Sequence, residues 1–311
     1  MHAARPWRAV VDGGGSHTRA ALFAPDGREP VGRGLANGSN LSHGVEPAWW
    51  HIAQALEQAL QAAGRPCDMR DLALGLGLAG ADEPAQARRF IDTAPAVAGL
   101  HLWTDGEIAL QGAFGTSPGL LLLAGTGSAC IARSADGRIG QVGGYGFPSG
   151  DEGSGAWLGR RALGHAQRAA DGIEPAGVLS RAVWSLVVQT ARAAADGADA
   201  TPVPALRAFS ATLDQRRCAL LAPLVFDSAG DDPWAERLLQ DASAALLGLV
   251  KAADPTSTRP VALHGSVALR LSPRLLPMLE GRLRPPQRDA LDGALQLLDR
   301  ALGLDGPVTP D

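Results

Sequence analysis

The feature that most constrains this chain is a unit that occurs twice. In its first copy, RAVVD runs into Gly13-Gly14-Gly15, HTRAALFA follows, Pro25-Asp26-Gly27 turns the chain, and PVGRGLA returns. Residues 8–36 therefore read as strand, glycine loop, strand, turn, strand. About a hundred residues later GLLLLAG (119–125) leads into a glycine turn, SACIARS (128–134) forms a second strand, Asp136-Gly137 turns, and RIGQVGG (138–144) forms a third. A duplicated strand-loop-strand-turn-strand unit is an uncommon architecture. No Pro-, Gly- or Ser-rich linker separates the halves, so they are expected to pack tightly with a cleft between them.

The intervening segments alternate in period. Residues 45–63 carry Trp49, Ile52, Ala53, Leu56 and Leu60 at helical spacing and stop at Gly64. LALGLGLAG (72–80) is a continuous apolar run, the mark of a strand buried on both faces, and LHLWTD (100–105) reads as another. Residues 83–93 and 106–113 read as helices. From 151 onward the pattern is mostly helical, with PVALHGS (260–266) strand-like and a last amphipathic helix over 288–302.

Composition excludes several classes of function. At 311 residues the chain fits two compact domains or one large one, and 46% apolar with 19% charged residues is an ordinary soluble composition. A net charge of −4 announces no basic surface, so nucleic acid is not an expected partner. Lys251 is the single lysine, which removes the Gly-Lys-Ser/Thr phosphate loop and argues against lysine Schiff-base chemistry. Cys67, Cys130 and Cys218 are isolated and odd in number, which fits neither structural zinc nor a disulfide framework. The N-terminal residues lack the apolar region of a signal peptide, and no apolar run reaches the ~18 residues of a membrane span. A cytoplasmic protein without membrane contact is expected.

Five segments carry candidate chemistry. Asp12-Gly13-Gly14-Gly15-Ser16-His17-Thr18 offers unobstructed backbone N–H groups and two hydroxyls, a way to cradle polyphosphate without lysine. Asp12 could hold a hydrated magnesium ion; a tight hairpin with glycines at positive φ is the plainer reading. Gly125-Thr126-Gly127-Ser128 repeats the arrangement. Asp105, in Thr104-Asp105-Gly106 at a strand end, could take a proton from a substrate hydroxyl, or could merely cap a helix. The dense glycine turn Gly143 to Gly155 implies close approach to the backbone, with Asp151 either capping a helix over about 152–169 or accepting from sugar hydroxyls. Asn40, in Asn37-Gly38-Ser39-Asn40, could donate to and accept from a hydroxyl, although such clusters are mostly turns.

Taken in order, VVDGGGSHTRAALF, TDGEIAL, LLLLAGTGSACI and GGYGFPSGDEGSGAWLGRRAL resemble the N-acetylglucosamine and glucosamine kinase branch of the BadF/BadG/BcrA/BcrD ATPases, within the actin-like, hexokinase-like superfamily. The resemblance covers about residues 8–300. It implies an α/β fold of two ribonuclease H-like domains, each a mixed five-stranded sheet with flanking helices. The smaller domain would be 1–113, with a helix at about 288–303 crossing back to it, and the larger 114–287. It implies ATP with Mg2+ as cofactor and an amino sugar as substrate, phosphorylated on its 6-hydroxyl, N-acetylglucosamine first and glucosamine as close runner-up.

Residue by residue, Gly13, Gly14, Gly15, Ser16 and Thr18, with Gly125, Thr126, Gly127 and Ser128, match the phosphate-binding loops. Asp105 matches the catalytic base. Asn40, Asp105, Thr126, Gly144, Tyr145 and Asp151 match sugar contacts, and Gly265 and Ser266 an adenosine loop. Ser16 stands where the family often has Thr, and Tyr145 where it often has Trp. Other members of this fold are ATPases or regulators that drive a partner enzyme through a cysteine-held iron–sulfur cluster, and the isolated cysteines here do not suit that role. Oligomeric state stays open, a homodimer being one candidate.

Overall fold

A computed structural model describes residues 5–194 and 201–304. Residues 1–4 of the expected first domain, and the helical expectation over 195–200, lie outside the described residues. Nine strands are described: β1 Trp7–Gly13, β2 His17–Phe23, β3 Gly32–Asn37, β4 Leu72–Leu78, β5 Gly99–Trp103, β6 Gly119–Ala124, β7 Ser128–Arg133, β8 Ile139–Gly143 and β9 Val261–His264. The described helices are α1 Val45–Ala62, α2 Pro84–Asp92, α3 Asp105–Phe114, α4 Gly155–Ala170, α5 Val178–Ala194, α6 Pro202–Ala211, α7 Gln215–Ala219, α8 Ala222–Ser228, α9 Pro233–Ala253, α10 Ser266–Leu275 and α11 Ala290–Ala301.

The chain separates into two compact units. One holds Met1–Leu121, Arg133–Arg138 and Pro285–Asp311, the other Leu122–Ala132 and Ile139–Arg284. In the first, five strands run in the order β3-β2-β1-β4-β5. β1 pairs antiparallel with β2 and parallel with β4, and β4 pairs parallel with β5. The glycine loop after β1 and the start of α3 after β5 are therefore carried to the same end of the sheet. β4 is buried at every residue, as its unbroken apolar run requires. The segment 100–105 departs from expectation: β5 is only half-buried, because it is the sheet edge with a single neighbour.

Helix α1 buries Ala48, Ile52, Ala55, Leu56, Ala59 and Leu60 against this sheet. It approaches β3 so closely that a Cβ at Gly32 or Gly34 would run into the Ala59 or Ala55 carbonyl. Helix α11 meets α3 backbone to backbone, a Cβ at Gly293 striking the Ile108 carbonyl and one at Gly112 the Asp289 carbonyl. Arg8, 3% exposed, ties α11 to β1 through Asp299 at 2.5 Å.

The second mixed sheet has four strands in the order β8-β7-β6-β9, where five were expected. The fifth position is reduced to one bridge, Leu283 beside Val261, made by Val261 N–H to Arg282 O and Arg284 N–H to Val261 O. Pro285 and Pro286 follow at once, and without N–H groups they cannot extend the ladder.

Candidate active site

In the first unit, the hairpin after β1 closes through Gly14 N–H to His17 O at 3.1 Å. None of Gly13, Gly14 and Gly15 lies in the left-handed region, so the plainer reading of the glycines as positive-φ turn residues does not hold. A Cβ at Gly13 would strike Ser39 and Leu78, which accounts for that glycine by packing. At Gly14 and Gly15 nothing lies within 4 Å of where a Cβ would stand. Neither a positive φ nor packing at the Cβ position demands these two glycines, and they leave the backbone uncovered on that side.

Thr18 is fully buried, its Oγ1 2.6 Å from Asn37 O and 2.8 Å from Ser39 Oγ. Its hydroxyl supports the loop from beneath. Ser39 touches both Thr18 and the Gly13 position, and Ala79 joins the neighbouring segments by donating to Gly13 O and accepting from Leu41 N–H. Asn40 is thereby set beside Gly80, its Oδ1 accepting Ser42 N–H at 2.8 Å. The turn role foreseen for Asn40 is real.

Asp12, Gly77 and Trp103 stand in one row across β1, β4 and β5, with Asp105 two residues further on. The capping alternative for Asp105 falls to Thr104, whose hydroxyl accepts Glu107 N–H at 3.0 Å while the Glu107 carboxylate accepts Thr104 N–H at 2.9 Å. Asp105 is the first residue of α3. Loss of solvent, then the charge of Asp12, push its carboxyl up to about 7 against the pull of the Gly106 N–H, and Asp82 adds to the rise. A carboxyl that titrates near neutrality and makes no cap suits a general base.

In the second unit, Gly125 also has open space where a Cβ would stand, and its N–H closes the loop on Gly127 O at 2.9 Å. The start of α4 grips this loop from behind: Gly155 N–H donates to Gly125 O at 2.8 Å and Ala156 N–H to Thr126 O at 3.2 Å. Ser128 is buried and its hydroxyl donates to Glu152 O at 2.8 Å. Asp151 does not cap α4, because the helix begins at Gly155 and Ser154 caps it by accepting Trp157 N–H. Instead Asp151 sits in the left-handed region at φ 61, 5% exposed.

Burial holds the Asp151 carboxyl above the usual carboxylate range, while N–H groups of Ser128 and Gly146 pull it down. Gln215 Nε2 donates to its Oδ2 at 2.8 Å. Sequence reasoning missed Gln215, which lies 64 residues away. Gly143, Gly144, Gly146 and Gly153 all take positive φ, which explains the glycine density of this turn, and Tyr145 is 88% exposed among them. Gly265, at φ 92, leads into α10, and a Cβ there would strike the Ala124 carbonyl at the mouth of the Gly125 loop. Ser266, the first residue of α10, is exposed.

Among the described residues no group of three or more His, Cys, Asp or Glu is placed to hold a metal ion, so a protein cage is not offered. Asp12 fits magnesium of the kind that keeps its waters: one oxygen is engaged by Arg19 and the other has no protein partner among the described residues. Burial pushes Cys130 up to about 12 and Cys218 up to about 11, so neither is a reactive thiolate near neutral pH. No described helix is long and apolar enough to cross a membrane.

The chain is 32% identical over 287 residues to glucosamine kinase GspK of Vibrio cholerae, covering 92% of this chain and 93% of that one. It is 29% identical over 165 residues to an N-acetylmuramic acid/N-acetylglucosamine kinase of Clostridium acetobutylicum, about half of either chain (52% and 53%). A Chromobacterium violaceum crystal structure, of a protein provisionally assigned as an N-acetylglucosamine kinase, superposes with a TM-score of 0.86 at 39% identity, covering 95% of this chain and 100% of that one. Residues 11–279 match the family model, and the chain belongs to the BadF/BadG/BcrA/BcrD ATPase family.

Proposed function

We propose that the protein transfers the γ-phosphoryl group of ATP to the 6-hydroxyl of an amino sugar, giving the 6-phosphate and ADP. The observation that carries this reading is the placement of Asp105: a carboxyl freed from capping by Thr104, at the end of the sheet that carries the glycine loop, where burial and the charge of Asp12 push it up. N-acetylglucosamine is the leading substrate on the sequence resemblance, and glucosamine is supported by the relative aligned over nearly its whole length.

In this reading Asp105 takes the 6-hydroxyl proton as that oxygen attacks the γ-phosphorus and ADP departs. Gly13, Gly14, Gly15 and Ser16 in one unit, and Gly125, Thr126, Gly127 and Ser128 in the other, bind phosphate oxygens, and Thr18 holds the first loop in shape. Asn40, Thr126, Gly144, Tyr145 and Asp151 bind the sugar, and Gly265 and Ser266 the adenosine. Asp12 would hold a hydrated magnesium ion through its waters. When bound with the nucleotide, that ion neutralises charge on the phosphates. The functional domains are taken as 1–113 with the helix at 288–303, and 114–287, in a cytoplasmic enzyme. A homodimer is open to test by sedimentation.

The test is ADP release from Mg-ATP with N-acetylglucosamine, glucosamine, N-acetylmuramic acid, N-acetylmannosamine and glucose. Turnover that depends on one amino sugar supports the reading and selects the substrate. ATP hydrolysis indifferent to every sugar overturns it in favour of an ATPase that serves a partner.

A further inference from the structure

Arg19 and Asp12 face each other across the first hairpin as direct partners of β2 and β1, with Asp12 immediately ahead of the glycine loop. Both Nε, at 3.1 Å, and Nη2, at 2.5 Å, donate to the same oxygen, Oδ2 of Asp12. The remaining nitrogen, Nη1, lies 3.7 Å from Oδ2 of Asp289. Asp289 is itself fixed: it caps α11, its Oδ1 accepting Asp292 N–H at 2.9 Å, and α11 is held to β1 by Arg8 and Asp299. Every nitrogen of the guanidinium thus faces a carboxylate, and that of Asp289 is anchored independently of Arg19. As a stabilising contact the pair is weak, since Arg19 keeps 41% of its side chain exposed. As a geometric device it is specific, because it engages one oxygen of Asp12 and leaves Oδ1 without a protein partner among the described residues.

We propose that Arg19 is a positioning residue which holds Asp12 so that only Oδ1 faces the divalent cation of the nucleotide, keeping that cation at water-mediated distance. This rests on the reading of Asp12 given above. The reasoning is electrostatic and steric together. A free carboxylate can displace water and bind a dication directly through both oxygens. A guanidinium on Oδ2 blocks that mode and lowers the negative potential at the carboxylate. Removing Arg19 should therefore bind the cation more tightly and in the wrong place.

The test is a Mn2+ titration in the presence of ADP, followed by electron paramagnetic resonance, on wild type, Arg19→Met, Asp12→Asn and the double variant, with kcat measured in parallel. Arg19→Met is expected to tighten Mn2+ binding about threefold or more while kcat falls about tenfold or more. In the Asp12→Asn background the same substitution should leave the Mn2+ affinity unchanged. Arg19→Lys, which keeps the charge with a less fixed grip, should lie between.

Mn2+ affinity that weakens together with kcat would overturn the proposal, as would an Arg19→Met effect of equal size with and without the Asp12 carboxylate. Either would make Arg19 a direct phosphate ligand or a structural pair. If Arg19→Met does not fold, Arg19→Lys decides: metal affinity equal to or weaker than wild type overturns the proposal. The titration needs no sugar. A wild-type enzyme that binds Mn2+-ADP without sugar-dependent turnover therefore sinks the kinase reading and leaves this proposal standing or falling on its own result.

Discussion

The Asp151 carboxylate lies against the backbone of Gly127: a Cβ at position 127 would come within 2.8 Å of Oδ2. Two glycine-rich segments separated by a β-hairpin are thereby locked into one surface. The Asp151 backbone takes the left-handed conformation, which Asp tolerates better than most residues and which places its carboxylate over the loop. Its protein partners among the described residues are neutral donors, an amide side chain and backbone N–H groups. In the proposed reading this carboxylate accepts from sugar hydroxyls.

Asp151→Asn keeps the backbone preference and removes the charge. Sugar KM should rise about tenfold, the scale of one charge-assisted hydrogen bond, with ATP KM unmoved. Gln215→Ala should raise sugar KM in the same direction by less. Steady-state kinetics with each substrate varied in turn checks both, and an unchanged sugar KM would reduce Asp151 to a structural residue.

Asp105→Asn should lower kcat by about two to four orders of magnitude while both substrates still bind. Calorimetric titration of sugar and nucleotide separates this outcome from a folding defect. Near-normal turnover would remove Asp105 from the mechanism.

The pH dependence has a definite sign. In the free enzyme Asp105 must lose its proton to act, so kcat/KM with limiting sugar should climb about tenfold per unit below about 7 and level off above it. Stability moves the other way. Folding raises this carboxyl from 3.8 to about 7, so the protonated form is favoured in the folded state. Its contribution is complete below 3.8 and lost as pH rises through about 7. Asn does not titrate, so Asp105→Asn should gain on wild type in thermal midpoint across that window. Melting curves at pH 5 and pH 8 would show the difference growing with pH.

Gly14→Ala or Gly15→Ala should separate stability from function. The added methyl meets no protein atom and the backbone is not left-handed, so stability should hold or rise by about 0.4–1 kcal/mol. ATP KM should nevertheless rise about tenfold, because the methyl occupies the bare backbone that phosphate would approach. Gly265→Ala should instead lower the melting temperature, since position 265 has φ 92 and faces the Ala124 carbonyl.

Much of this was legible in the chain. The turn residues Asp26-Gly27 and Asp136-Gly137, and the apolar runs ahead of each glycine loop, located the strands of both repeats to within about two residues, the scale at which element ends are defined. The sequence pattern puts the start of α4 three residues early, because Asp151 is a competent cap on paper while Ser154 is the cap in the fold. Thr104 displaced Asp105 from capping for a local reason that Glu107 signals, the reciprocal pair one turn later. The missing fifth strand of the second sheet was also in the sequence, as Pro285-Pro286, but only a known neighbour makes that pair meaningful. Arg19 and Gln215 were not legible. One is defined by the register of a hairpin and the other by a contact across 64 residues.

Phosphoryl transfer to the oxygen on carbon 6 is visible in the 31P spectrum of the reaction. With Mg-ATP and N-acetylglucosamine or glucosamine, the expected products are ADP and a phosphomonoester whose signal is split into a triplet by the two hydrogens on carbon 6, with no such signal from a 6-deoxy sugar. ADP accompanied by inorganic phosphate alone would contradict that transfer.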